Sequence, residues 1–235
     1  MKAVKCAIII LLNFALVNFG HAQSIISAKV IPLKFQQQTD TLRIPVVPAK
    51  YGALKRALSY TTITDGDTLA NVIANYDTCG CGTTGLDYEV AFENQTIISI
   101  KFTFQTMAAY PDSYSKWFTL NIYTGKPYFI DDEINPEGLQ MIYKRYKDTL
   151  KKRILADKQT NTDEDSSTYN ELKENIDSLK LYDVLDKYVF TKEGIVVSID
   201  RILPHVVQSF EPDDDLLIPY DDLKKYRKPH TIVIQ

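Results

Sequence analysis

The sequence predicts an α+β fold, with antiparallel sheet packed by amphipathic helices in two successive α+β modules. Three observations carry that expectation. Between Tyr88 and Phe104, apolar and polar residues alternate on either side of an Asn94-Gln95 turn, as a half-buried antiparallel hairpin requires. After Asn135-Pro136, the residues Leu139, Ile142, Tyr143, Tyr146, Leu150 and Ile154 recur at three- and four-residue steps, the stripe of an amphipathic helix. Tyr188-Val189-Phe190 and Ile195 to Ile199, separated by Lys192-Glu193-Gly194, read as a further hairpin.

The first 22 residues are expected to be a signal peptide. Lys2 and Lys5 precede an apolar run from Cys6 to Phe19, and Gly20-His21-Ala22 supplies a small-x-small cleavage site. The run is interrupted by Asn13 and Asn18 and falls short of the ~20 residues of a membrane span. Cys6 has no small-residue lead-in and does not read as a lipid-attachment cysteine. The expectation is an exported protein, secreted or periplasmic, soluble, with no integral membrane segment after cleavage. Losing Lys2 and Lys5 takes the formal net charge from −3 to −5. That balance gives no electrostatic footprint for nucleic acid or an anionic membrane.

The first module is expected over residues 23–112. Ile25 to Phe35 reads as an opening strand and Gln36 to Asp40 as a polar loop; Leu42 to Pro48 is extended, because its prolines forbid helix. Ala49 to Tyr60 and a second segment capped by Asp67 read as short helices, the latter with Leu69, Val72, Ile73 and Tyr76 on one face. A loop from Cys79 to Gly85 precedes the alternating hairpin, in which Tyr88, Val90 and Phe92 share a face, and Ala108 to Ser115 reads as the loop that follows.

The second module is expected over residues 113–235. Phe118, Leu120 and Ile122 share one face of a strand, and Trp117, Thr119, Asn121 and Tyr123 the other. Gly125 suits the left-handed position of a short turn before a return strand at Pro127–Ile130. Asn135 caps the long helix and Pro136 fits its first turn. A polar stretch near 157–167 reads as a surface insertion, and Thr168 with Glu171 fits a capping box for a helix carrying Leu172, Ile176, Leu179 and Tyr182. Leu216 to Tyr220 reads as a short strand and Thr231 to Ile234 as an edge strand.

No nucleophile–base set, G-x-S-x-G, H-E-x-x-H, P-loop or G-x-G-x-x-G occurs, so no catalytic residue, metal ligand or cofactor is nominated. His205 and His230 lack a partner in sequence, and packed or hydrogen-bonded roles suit them better than catalysis. The acidic runs Asp131–Glu133 and Asp213–Asp215 lack the alternating spacing of a calcium loop; solubility and helix N-terminal charge account for them. Cys79 and Cys81 stand in a Gly-rich turn, as a local disulfide or two thiols, with a soft-metal or redox site as the sharper alternative. Tyr and Trp give large contact area at low entropy cost, so Tyr110, Tyr114, Trp117 and Tyr123 are candidate ligand-binding residues, unless both sheet faces are covered.

Two segments together resemble a known pattern. One is Tyr110-Pro111 followed by Trp117 to Lys126 with its Thr124-Gly125-Lys126 turn; the other is Tyr188 to Val197, ending in Ile218 to Leu223. They resemble an uncharacterised bacterial extracytoplasmic domain family, similar to the outer domain of lysozyme-sensing anti-sigma factors and to the accessory domain of peptidoglycan deacetylases. A companion module of that family resembles residues from about Ile44 to Phe104. The resemblance implies a non-enzymatic module that binds a protein, such as a muramidase, or a cell-wall glycan. A cell-wall hydrolase using paired carboxylates in a cleft is the alternative. The family's anti-sigma segment, membrane span and deacetylase domain have no counterpart here, and Ala109 and Tyr110 stand where the family often has a glycine and a histidine. No functional residue carries over.

Overall fold

A computed structural model describes residues 24–160, 166–199, 201–203, 211 and 215–235. The expected signal peptide, His205, Asp213, Asp214 and residues 161–165 of the polar stretch lie outside the described residues. The fold is α+β.

The chain opens with β1 (Ser27–Phe35) and β2 (Gln38–Val46), an antiparallel hairpin turned at Gln36, whose φ is 53°. A 3₁₀ turn leads through α1 (Gly52–Ala57) and α2 (Tyr60–Ile63) to α3 (Leu69–Cys79). Thr68, rather than Asp67, caps α3, accepting the Asn71 N–H at 3.2 Å. Three long strands follow: β3 (Gly82–Glu93), β4 (Ile97–Met107) and β5 (Pro111–Asn121). Both flanking loops are shorter than their Gly and Ser content suggests, because the ladder runs from Gly82–Met107 and from Met107–Pro111.

The five strands lie in sequence order, antiparallel except for β2 and β3, which meet in parallel at Leu42 and Leu86. The sheet is therefore mixed where the alternation suggested antiparallel throughout. The helices between β2 and β3 return the chain to the end from which it started, and a parallel pair needs such a crossover. The Asn94 side chain makes the β3–β4 turn by accepting the N–H groups of Thr96 and Ile97.

The helical side of this sheet holds the first core, with Leu42, Leu54, Ile63, Tyr76, Phe102 and Phe104 all fully buried. A register shift between Val90 and Phe92 corrects one expectation. It inserts an extra residue, so Phe92 leaves the face of Tyr88, sits opposite Ser99 and packs against the second core.

The expected division at 112/113 falls within the ladder of β5, and the first core continues to Ile122. Gly125 takes a φ of +63°, with the Ala53 carbonyl where a Cβ would stand. The expected return strand is reduced to one bridge, Leu120 to Pro127. Pro127 has no N–H to extend a ladder, and the chain winds at once into α4 (Ile130–Glu133).

Asn135 caps α5 (Pro136–Thr160), accepting the Gly138 N–H at 2.9 Å. Then come α6 (Ser166–Ser178), α7 (Leu181–Leu185), β6 (Tyr188–Phe190), β7 (Gly194–Val197), β8 (Leu216–Pro219) and α8 (Tyr220–Leu223). Helix occupies both ends of the polar stretch expected as an insertion. Thr168 lies inside α6 rather than at its cap, and Tyr182, on the next helix, is exposed. Strands β6, β7 and β8 form their own antiparallel sheet, separate from that of Trp117. Ile142, Tyr146, Leu150, Ile154, Leu172, Phe190 and Ile218 fill the second core.

Residues 231–234 form no strand. Instead the N–H groups of Ile232, Val233 and Ile234 donate to the carboxylate of Glu133 at 2.8, 3.0 and 2.8 Å, and the Tyr128 hydroxyl donates to it as well. Glu133 is fully buried, so its place in an acidic run has nothing to do with solubility. Four donors compensate the desolvation of one buried carboxylate.

Candidate functional site

Strand β4 has two different faces. Ile98, Ile100, Phe102 and Phe104 point into the first core and are buried along the whole strand. On the opposite face Ile97 and Ser99 are buried, Lys101 is half-buried, and Thr103 and Gln105 are exposed. On the same face of β5, Thr119 is buried, Trp117 and Ser115 are half-buried, and Ser113 is exposed. Among the described residues, the chain after β5 therefore covers only half of this face. At the covered end the Ser99 and Thr119 hydroxyls exchange a hydrogen bond at 2.7 Å, and Ser99 Oγ accepts the Phe190 N–H at 3.0 Å.

The boundary between covered and open halves is held by charge. Lys101 Nζ donates to Asp215 at 3.1 Å, and the other carboxylate oxygen of Asp215 accepts from the Ser198 hydroxyl and the Ile199 N–H. Lys101 also stands 5.6 Å over the Trp117 ring, a cation–π contact. The indole N–H of Trp117 is buried without a hydrogen-bond partner.

Beyond Lys101 the open half forms a groove of about 640 Å³, lined by Ser27, Arg43, Asp87, Glu89, Lys101 and Thr103 among others. Arg43 pairs with Asp87 at 2.9 Å and stands 5.0 Å over the Tyr88 ring. Burial raises the Tyr88 hydroxyl above its usual pKa, with Arg43 working against the shift, and that hydroxyl donates to the Ser27 carbonyl at 2.9 Å. A smaller recess lined by Thr41, Gly85 and Gln105 continues the groove, sharing Arg43, Asp87 and Thr103 with it. The open face thus presents oriented charges of both signs and exposed hydroxyl and amide groups. Asp87 and Glu89 lie two positions apart on one strand, and Asp87 is engaged by Arg43.

The four aromatic residues nominated from sequence do not meet. Tyr110 is exposed at the tip between β4 and β5. Tyr114 faces the helical side, stacked on Phe104 at 4.8 Å, with Arg201 over it and bonded to Asp112 and the Ser113 carbonyl. Trp117 lies on the opposite face, under Lys101. Tyr123 is exposed in the turn after β5, edge-on to Tyr51 at 6.0 Å. Cys79 and Cys81 form a disulfide at the end of α3.

Arg43, Asp87, Lys101 and Asp215 were not nominated from sequence. Period-2 alternation places Lys101 outward, but its partner lies far away in the chain, and nothing local announces the pair. Among the described residues no cluster of three or more His, Cys, Asp or Glu is arranged to hold a metal ion, and no helix is long and apolar enough to cross a membrane.

No family model matches the chain, and no curated protein matches it. Among solved structures, the chain is similar to a DUF3298 family protein from Pseudomonas aeruginosa PAO1, at 16% identity and a TM-score of 0.52, over 87% of this chain and 92% of that one. It is also similar to a DUF3298 family member from Bacteroides fragilis, at 13% identity and a TM-score of 0.49, over 86% of this chain and 92% of that one. The first likeness, spread over most of the chain, shows that it shares the fold of a bacterial domain known by that family label.

Proposed function

We propose that the protein is an exported, non-enzymatic binding protein of the cell envelope, and that its ligand docks on the open half of the five-stranded sheet. The observation that carries this reading is the burial gradient along β4, from buried Ser99 through half-buried Lys101 to exposed Thr103 and Gln105. A sheet face that the described residues leave bare beside a covering segment is a preformed concavity, and its charged side chains are already oriented by partners.

A protein ligand of the muramidase kind fits better than a glycan. Opposite charges at fixed positions suit a complementary protein surface. Lys101 and Arg43 stand over the Trp117 and Tyr88 rings, occupying ring faces on which a sugar would stack. The sequence resemblance to the outer domain of lysozyme-sensing anti-sigma factors supports a protein ligand, whereas that to deacetylase accessory domains is equally compatible with a glycan. The leader-like first 22 residues support export.

The test immobilises the protein and measures binding of muramidases and of soluble peptidoglycan fragments. Saturable muramidase binding that weakens about ten-fold in Arg43→Ala or Lys101→Ala supports the reading, a loss typical of one oriented contact. Binding of fragments alone transfers the site to a glycan. No binding of either at high micromolar concentration sinks it.

A further inference from the structure

We propose that the Cys79–Cys81 bridge is a thiol–disulfide exchange site that accepts two electrons from a dithiol-bearing partner in a single stoichiometric exchange. The bridge stands apart from the sheet groove, and the inference does not rest on that groove's function.

As a structural staple the bridge has little to do. It joins residues two apart, and the loop-closure effect of a disulfide grows with the length of chain enclosed. The turn it spans is already fixed by other means. Gly80 ends α3 in the left-handed region, and its N–H donates to the Tyr76 carbonyl at 2.8 Å. The Phe35 ring packs where a Gly80 Cβ would stand and lies edge-on to the buried Tyr76 ring at 6.4 Å. Cap and packing hold this end of α3 whether or not the sulfurs are joined.

As a reactive group the bridge is well placed. Cys79 is exposed and Cys81 half-buried, so an incoming thiolate meets Cys79 first. Gly80, between them, also lines a second groove of about 700 Å³ with Gln38, Thr39, Asp40, Gln105 and Met107. A peptide carrying thiols can lie there beside the bridge. No other cysteine occurs outside the expected signal peptide, so reduction leaves these two thiols with no third partner in the mature chain.

The chemistry follows from the helix. A partner thiolate attacks Cys79 Sγ, the Cys79–Cys81 bond breaks, and Cys81 leaves as the thiolate. The negative end of the α3 dipole disfavours a thiolate on Cys79 and so favours this direction of cleavage. The partner's second thiolate then attacks its own sulfur in the mixed disulfide, releasing Cys79. The partner ends as a disulfide and the protein as two thiols, protonated from solvent.

The experiment treats the purified full chain with a short synthetic Cys-x-x-Cys peptide, quenches with an alkylating agent and maps adducts by mass spectrometry on the fragment carrying Cys79 and Cys81, resolved from Cys6. The expected result is native-state exchange within about ten-fold of the rate in denaturant, with the trapped adduct on Cys79. Greater protection, or an adduct on Cys81, overturns the proposal. The double variant Cys79→Ser/Cys81→Ser should keep its thermal midpoint within about 3 °C of the parent. A larger fall makes the bridge a structural staple and also overturns it.

Discussion

The two halves of the outer face of the five-stranded sheet share strands, register and side-chain alternation, yet they do different work. In the covered half, Ser99 and Thr119 bond to each other, Ser99 accepts the Phe190 N–H, and Phe92 is turned across by a bulge to join the second core. In the open half, Arg43, Asp87, Thr103 and Gln105 face a groove. The difference teaches that polar residues at outward strand positions have no fixed meaning. The same hydroxyl chemistry is a buried seam where a neighbour covers it, and an open surface where no described residue does.

Substitutions should separate the halves by what they damage. Truncating the covering side has the largest effect. Phe190→Ala empties a fully buried aromatic site and should cost about 3–5 kcal/mol in chemical denaturation. A cost near zero would show that the second module does not pack on this face. Next comes the seam itself. Ser99→Ala leaves the Phe190 N–H and the Thr119 hydroxyl short of a partner and should cost about 1–3 kcal/mol, measured the same way.

The open half should behave in the opposite sense. Arg43→Ala breaks a pair whose two side chains are 47% and 65% exposed, so stability should move by less than about 0.5 kcal/mol. Ligand affinity should carry the loss instead. A stability loss as large as that of Ser99→Ala would erase the distinction between the halves.

A pH-dependent effect sharpens the contrast with the helical side, on which Ile98, Ile100, Phe102 and Phe104 of β4 are all buried. There the Tyr76 hydroxyl donates to Asp40, and that hydrogen bond pushes its pKa up to about 12. The unfolded tyrosine ionises near 10. The protonated native form is therefore favoured, and the stability it supplies is complete below pH 10 and lost as pH rises from 10 to about 12. Tyr76→Phe should flatten the fall in stability over that window, read by denaturation at a series of alkaline pH values. An unchanged slope would assign the alkaline loss to other groups.

Much of the fold was legible because its signals are local. The alternation of Ile98 to Phe104 fixed one buried face, Asn135-Pro136 fixed a helix start, and Gly125 fixed a left-handed turn. The misreadings cluster where a distant contact decided the outcome. The bulge beside Phe92 depends on register against β4, which alternation within β3 cannot report. The segment 231–234 has the apolar character of a strand, but a buried carboxylate from the Asp131–Glu133 run claims its N–H groups. The hairpin of β6 and β7 is legible as a hairpin, but which sheet it belongs to is not, because pairing with a distant strand leaves no mark within either one.

What the sequence determined by itself is therefore the α+β character, the two long amphipathic patterns, and the placing of Cys79 and Cys81, bridged or not, as neighbours in a glycine-rich turn. These follow from periodicity and backbone preference, which act within a few residues. Only the tertiary structure decided which half of the sheet stays open, that Lys101 is held by Asp215, and that Trp117 and Tyr114 lie on opposite faces. Those outcomes depend on which surfaces meet. Burial is a property of the neighbour as much as of the residue, and the neighbour that holds Lys101 lies more than a hundred residues further along the chain.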